Sequence, residues 1–392
     1  MQFPAIQNQD NQYLMHTYAR FPAALVRGRN ATAWDADGKR YTDFTAGIGV
    51  NCLGYSDPEW TAAVGNQAAA IQHISNLYYS PVATAAAEHL CAAAGMERVF
   101  FGNSGAEANE CAIKVARKYG TDKYGPSHCQ IVTLRNSFHG RTVTTLAATG
   151  QDMFHTHFTP FTAGFAYAAP QMDAVRAAVT ADTCAVLIEL IQGEGGVHPM
   201  ERAFVQELAA FCAKKDLLLL IDEVQTGVGR TGSFFCYQQY GVLPDAVSAA
   251  KGLGGGLPIG ACLVGRKCAG VMGPGDHGST FGGNPVVCAG ADVVIRRVSA
   301  PAFLRAVQQT GSYLRARLEA IPAIESVRGL GMMLGAKPRR GSVGEIAARC
   351  VDAGLLVLTA KDVLRFLPPL TITRTELDEG LAILEKVLAD TH

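Results

Sequence analysis

The sequence predicts an α/β protein: a large domain built on a mainly parallel sheet flanked by helices, with a smaller α+β domain after it. Two observations carry the first part. Between about residues 58 and 290, short apolar runs alternate with helical stretches. Those runs lack polar alternation, as strands covered on both faces do, and their alternation with helices implies parallel connections. A third observation marks the second domain. After Gly290 the pattern changes to a long helical stretch, strand-like segments and a closing helix. At 392 residues the chain can supply two cores. The expected division is 1–58 as an N-terminal segment packing with the small domain, 59–293 as the large domain, and 294–392 as the small one.

The elements follow in order. Residues 1–58 are turn-rich, and Trp34 to Tyr41 read as a hairpin turning at Asp37-Gly38. The buried runs are Val99-Phe100-Phe101, Gln130 to Leu134, Ala185 to Leu190, Leu217 to Ile221 and Ala246 to Ala250. Ala106–Tyr119, Asp173–Thr180 and Ala203–Lys215 are helix candidates between them. A long helical stretch extends to about Ala320. Ser326 to Gly335 and Val357-Leu358 are strand-like, and Thr375 to Thr391 close the chain as a helix.

Composition excludes several classes. Lys+Arg and Asp+Glu both number 34, so no charge excess points to nucleic acid or a membrane surface. The eleven cysteines are odd in number, include no C-x-x-C pair and often sit in apolar stretches. That suits buried, reduced thiols rather than disulfides or a zinc site. No basic, apolar leader opens the chain, and no run nears the ~20 apolar residues of a membrane helix. A soluble, cytoplasmic protein is expected.

Ligands of open parallel sheets bind beyond the carboxyl ends of the strands, so what each run delivers there matters. The first delivers Gly102 to Glu110 and opens a helix. Small residues and a helix N-terminus suit a phosphate, although Ser104 with Glu107 three residues on also fits an ordinary capping box. The second delivers Phe138, an aromatic that can stack on a flat ligand or simply pack, and Arg141, which can clamp a carboxylate or pair at the surface. The third delivers Glu194 between glycines, near a ligand or merely solvated. The fourth delivers Asp222, a carboxylate extending an apolar strand, then Glu223, Val224 and Gln225. The fifth delivers Lys251 into the glycine run Gly252 to Gly256. A carboxylate and an amine at two buried strand ends can serve one pyridine-aldehyde cofactor.

Two other patterns compete. Gly227-Val228-Gly229-Arg230-Thr231-Gly232 matches a dinucleotide fingerprint, with Asp245 beyond it, and would make the protein a nicotinamide-dependent dehydrogenase. Its context is wrong: Asp222 to Thr226 separate it from the strand, and Ser233 to Tyr237 start a helix poorly. His155 and His157 lack an acidic or cysteine partner nearby and read as loop rather than metal ligands.

Taken together, Asn103 to Glu110, Phe138 to Thr142, Gln192 to Gly196, Asp222 to Gly232, Lys251 to Gly256 and Ser279-Thr280-Phe281-Gly282-Gly283-Asn284-Pro285 resemble, in order and over nearly the whole chain, the class III (fold type I) pyridoxal-phosphate aminotransferases. That resemblance implies that Lys251 carries pyridoxal 5'-phosphate as a Schiff base and acts as base. It implies that Asp222 pairs with the pyridine nitrogen, Gln225 lies near the 3′-oxygen and Phe138 stacks on the ring. Ser104, Gly105 and Ala106 would surround the phosphate, with Glu223 and Val224 also beside the cofactor. Thr280 would reach the partner subunit's phosphate in a homodimer, and Ser279 would approach the substrate. Arg141 would hold the substrate α-carboxylate. Arg365 would hold 2-oxoglutarate, with Glu194 screening it in one half-reaction. Phe138-His139-Gly140 and Gln192 to Gly196 lean toward N-acetylornithine as the amine, an arginine-biosynthetic step. Ornithine, succinylornithine, succinyl-diaminopimelate and 4-aminobutyrate remain as alternatives. Two departures stand out: Leu190 where the family usually has proline, and Tyr55-Ser56-Asp57-Pro58 in place of a histidine-containing segment.

Overall fold

A computed structural model describes residues 2–391. Its centre is a seven-stranded sheet in the order Arg98–Gly102, Gly260–Val264, Ala246–Ala249, Leu218–Asp222, Thr183–Glu189, Gln130–Leu134, Phe165–Ala168. Gly260–Val264 runs antiparallel to both neighbours, and the other paired strands run parallel. All five predicted runs are strands of this sheet, within two residues at each end. Phe165–Ala168 and Gly260–Val264 are additions. The first is a four-residue edge strand with only one fully buried position, so its apolar signal is weak.

The sheet explains why its strands show no alternation. Val132, Leu134, Val186, Ile188, Leu219, Ile221 and Val247 pack into one apolar layer. Their chain neighbours Ile131, Ala185, Leu187, Leu218, Leu220 and Ala246 pack into another, against Ala112, Val115 and Ala116 of the helix Gly105–Tyr124. Successive residues point to opposite faces, and both faces are covered. The first layer is closed by helices Pro81–Ala94, Arg202–Lys215 and Pro285–Val298.

The N-terminal hairpin forms as predicted, pairing Thr32–Asp35 with Arg40–Asp43. Asp35 Oδ1 accepts from the N–H groups of Asp37 and Lys39 at 3.1 and 2.8 Å and so closes the turn. Leu355–Leu356 extends this sheet in parallel with Arg40–Asp43. Phe3–Tyr13 is a helix that a turn-rich reading did not anticipate.

The long stretch ending near residue 320 is two helices, Pro285–Val298 and Pro301–Glu319. Pro301 is the reason: it forces Ala300 to extended backbone and supplies the first residue of the second helix. Ser326 to Gly335 likewise divides into the hairpin Ile324–Leu330 and Met333–Pro338. At its turn Gly331 has φ +55°, and a Cβ there would lie 2.5 Å from the Thr231 carbonyl carbon. That hairpin continues antiparallel into Val363–Phe366 and Leu358–Ala360. The closing helix is Arg374–Ala389, opened by a capping box of Thr373 and Glu376.

The two departures have clear local roles. Asp57 caps the helix Pro58–Ala70 by accepting from Trp60 N–H at 3.1 Å, and it pairs with Arg297 at 2.7 Å. Leu190 is fully buried, and its carbonyl accepts from Met200 N–H at 2.9 Å.

Candidate active site

The carboxyl ends of the sheet strands open into a cavity of about 410 Å³. Ser104, Gly105, Ala106, Phe138, Glu194, Asp222, Val224, Gln225 and Lys251 all line it. Five loops separated by up to 147 residues of chain, from Ser104 to Lys251, therefore meet at one place, as their sequence positions predicted.

Lys251 leaves the strand Ala246–Ala249 through Ala250 and begins a 3₁₀ turn over Lys251–Gly254. Its φ is +45°, a left-handed conformation uncommon for a side-chain-bearing residue and characteristic of held functional positions. Burial pushes its ammonium below the ordinary value of 10.5, opposed by the negative charge of Glu194. The amine is thereby biased toward its neutral, nucleophilic form.

At the opposite wall, Ser104 caps the helix Gly105–Tyr124 by accepting from Glu107 N–H at 3.2 Å. Glu107 turns back to Asn103 rather than to Ser104, accepting from Asn103 N–H at 2.6 Å and Asn103 Nδ2 at 2.8 Å. The cap therefore coexists with an open helix N-terminus. Among the described residues, no hydrogen-bond partner takes the N–H groups of Gly105 or Ala106. Gly105 is required by close approach: a Cβ there would meet Val224 Cγ1 at 2.7 Å.

Asp222 is 4 % exposed and anchors the cavity floor. Its Oδ1 accepts from Val224 N–H at 3.0 Å; its Oδ2 accepts from Asn109 Nδ2 at 2.7 Å and faces His139 Nδ1 at 2.9 Å. His139 Nε2 is buried with no partner among the described residues. Glu189 is the register neighbour of Asp222 on one side and Ser248 on the other. Glu189 accepts from Phe138 N–H at 2.8 Å, fixing the aromatic loop to the sheet. Burial, reinforced by the Asp222 charge, pushes the Glu189 carboxyl well above its ordinary range.

Arg365 does not line the cavity; it stands behind Glu194 and Gln225. Its Nη1 donates to Glu194 Oε1 at 2.6 Å and Gln225 Oε1 at 3.2 Å. Burial opposes ionisation of Glu194, but the Arg365 guanidinium wins and holds the carboxyl below its ordinary range.

Four other predicted residues lie off the cavity. The Glu223 carboxylate turns into the core, accepting from Thr226 Oγ1 at 2.5 Å and Tyr237 N–H at 2.8 Å, and burial pushes its pKa up to about 7. Arg141 is exposed, with its guanidinium 4.5 Å from the Phe154 ring centre and 5.7 Å from that of Phe138. Ser279 Oγ accepts from Asn103 Nδ2 at 3.2 Å, which places it beside the wall. Thr280 is exposed, next to Phe281, which is 62 % exposed.

Sequence reasoning missed Asn109, His139 and Glu189 as members of the site, and also Val50 and Leu257 to Ile259, which complete its lining. Asn109 left a signal. It lies three residues before Ala112 and seven before Ala116, a polar residue on the apolar face of its helix. The competing patterns do not survive. Gly227 to Gly232 is a chain of turns with no helix beginning at its end, and His155 Nε2 lies 3.0 Å from the Leu146 carbonyl. No group of three metal-ligating side chains occurs among the described residues.

An open α/β sheet with a lysine, an acid and a helix N-terminus around one cavity defines a class of enzyme that handles a phosphorylated, ring-bearing cofactor. The chain belongs to the aminotransferase class-III family, whose model matches residues 13–388. It is 49 % identical over 388 residues to acetylornithine aminotransferase of Haemophilus ducreyi, covering 98 % of each chain. Among solved structures, N-acetylornithine aminotransferase of Stenotrophomonas maltophilia is 38 % identical with a TM-score of 0.84, over 97 % of this chain and 98 % of the other. Ornithine aminotransferase of Toxoplasma gondii is 29 % identical with a TM-score of 0.93, over 100 % of this chain and 95 % of the other. That structure has partial occupancy of pyridoxal phosphate at its active site. The family is pyridoxal-phosphate-dependent, and its members act on small molecules.

Proposed function

We infer that the protein transfers the terminal amino group of N-acetylornithine to 2-oxoglutarate, giving N-acetylglutamate 5-semialdehyde and glutamate, a step of arginine biosynthesis. The observation that carries the reading is 49 % identity along 98 % of the chain to an acetylornithine aminotransferase, with Lys251, Asp222 and Glu194 lining one cavity and Arg365 paired behind Glu194.

The residues present fit pyridoxal 5'-phosphate. The open N–H groups of Gly105 and Ala106 suit a phosphate. The buried Asp222 carboxylate suits a cationic ring nitrogen, Phe138 suits the ring face, and the Gln225 amide suits a ring oxygen. When bound, the cofactor supplies an electron sink for loss of a proton from the carbon bearing the amine. Lys251 would hold the cofactor covalently and be released when the amine substrate binds. Its Nζ, biased by burial toward the neutral form, would take up the proton lost from that carbon and deliver it to the cofactor rather than back to the same carbon. Arg141 orients the α-carboxylate of the amine. Arg365 stays paired with Glu194 while the amine is bound and turns to the distal carboxylate of 2-oxoglutarate in the second half.

A homodimer, with Thr280 reaching the partner's phosphate, is supported by the exposure of Thr280 and by the apolar surface around it: Leu77 at 87 %, Tyr79 at 100 % and Phe281 at 62 %. Asn76 ties that segment to the 279–282 loop, donating to the carbonyls of Ser279 and Gly282 at 2.9 Å each. The division into a segment 1–58, a large domain 59–293 and a small domain 294–392 is proposed on the pairing of Arg40–Asp43 with Leu355–Leu356. A cytoplasmic location is proposed alongside; among the described residues no helix is long and apolar enough to cross a membrane.

Single-turnover measurements across acetylornithine, succinylornithine, ornithine, succinyl-diaminopimelate and 4-aminobutyrate test the substrate. Acetylornithine should convert with the highest efficiency. A free diamine or 4-aminobutyrate turning over faster would overturn the assignment.

A further inference from the structure

Asn109 occupies an unusual position for an amide. It projects from the first turns of the helix Gly105–Tyr124 and is 1 % exposed. Its Nδ2 donates to Asp222 Oδ2 at 2.7 Å and to the His139 carbonyl at 2.8 Å. Its Oδ1 accepts from Ser248 Oγ at 2.5 Å. Both amide hydrogens and the carbonyl oxygen are thus engaged, which leaves the side chain a single setting. These bonds join a helix, a loop and the ends of two neighbouring strands. Asp222 and Ser248 are register partners, and both face the helix side of the sheet.

The remaining neighbours of Asp222 do not replace this contact. Glu189 and Glu223 are buried carboxyls pushed up by burial and by the Asp222 charge, and neither makes a hydrogen bond to Asp222. Only Asn109, His139 and Val224 N–H make hydrogen bonds to the carboxylate among the described residues. The amide also holds the backbone at His139, so it sets the place of the imidazole that meets the same oxygen.

We propose that Asn109, braced by Ser248, is a positioning residue for Asp222, holding the carboxylate in the setting in which it meets the ring nitrogen of the cofactor. The proposal rests on the reading of the cavity as a pyridoxal-phosphate site. The Ser248 hydroxyl donates to Asn109 and makes no hydrogen bond to Asp222, so it acts on the carboxylate through Asn109.

The test uses purified protein, freed of cofactor and titrated with pyridoxal 5'-phosphate, with affinity read by equilibrium dialysis and the visible band recorded at saturation. Asn109→Ala should weaken cofactor affinity by roughly tenfold to a hundredfold, the range for losing a hydrogen bond to a buried charge, and shift the visible band. At saturating cofactor kcat should fall by a similar factor, while KM for the amine stays within about threefold, because no substrate contact changes. Ser248→Ala should lose about three- to tenfold, as for a neutral hydrogen bond, and its effect should vanish in the Asn109→Ala background. Melting of the cofactor-free variants separates these losses from unfolding. If Asn109→Ala does not fold, Ser248→Ala with its altered band carries the test alone. Affinity, band and kcat all unchanged in the folded variants would overturn the proposal, as would losses that simply add in the double variant. Failure of the wild-type protein to bind the cofactor would instead overturn the reading of the cavity, and it is seen before any variant is made.

Discussion

Replacing Glu194 with Gln keeps the shape beside Arg365 and removes one charge. The pair is close, 2.6 Å between Nη1 and Oε1, with Arg365 4 % and Glu194 34 % exposed. Two unit charges about 4 Å apart at an effective dielectric near 20 attract by ~4 kcal/mol. Solvent reaches a third of the Glu194 side chain, and separation returns part of the desolvation cost, so a charge-assisted hydrogen bond of about 1.5–3 kcal/mol is the better figure. In the wild type, 2-oxoglutarate must displace Glu194 from Arg365. In Glu194→Gln it meets a weaker competitor, so its KM should fall by roughly tenfold or more. The amine half-reaction should suffer by a similar factor, since the buried guanidinium then lacks its counter-charge. The ratio of the two half-reaction efficiencies, each followed in single turnover by the cofactor spectrum, should move by about two orders of magnitude. A ratio within twofold of wild type, roughly the scatter of such measurements, would refute this role for the pair. The pH behaviour follows from the same contact. Arg365 holds the Glu194 carboxyl below its ordinary 4.5, so the pair is intact above that value. Its stabilisation is lost only as pH falls through the lowered folded-state value.

Lys251→Met should abolish turnover yet leave the cofactor-free protein more stable at neutral pH than wild type. Burial lowers the folded-state pKa of Lys251 from 10.5, so the unfolded chain binds the extra proton and wild-type stability rises with pH across that interval. The advantage of Lys251→Met in urea midpoint should therefore shrink as pH approaches 10.5; an advantage independent of pH would contradict the sign. Asp57→Ala removes both a helix cap and the partner of Arg297, and should cost about 1–2 kcal/mol for the cap with a smaller increment for the ion pair. Asp57→Asn should recover most of that loss in denaturant unfolding, because it retains the capping oxygen.

Much of the site is legible in the sequence. The five apolar runs identify buried parallel strands, and such strands present their ligands at their carboxyl ends, so Gly105, Phe138, Glu194, Asp222 and Lys251 could be assigned to one edge. Less legible were residues whose work depends on register. Glu189 sits within the run Ala185 to Leu190, and only its alignment beside Asp222 makes it part of the floor. Glu223 is placed by the same kind of geometry. It follows Asp222 in the chain, but alternation turns its carboxylate to the other side, onto Tyr237 N–H and Thr226.

The same division holds for the protein as a whole. The sequence alone determined the α/β class, the positions of the buried strands along the chain, the helix start at Ser104 and the chemical types brought to the strand ends. Each of these depends on periodicity, capping or backbone restriction within a few residues. Tertiary structure decided the antiparallel insertion of Gly260–Val264, the pairing of Arg365 with Glu194 across 171 residues, and the row of Glu189, Asp222 and Ser248 beneath Asn109. Those contacts join segments far apart in the chain, and their geometry is set by how strands align and which face of a helix is buried, which no local pattern specifies.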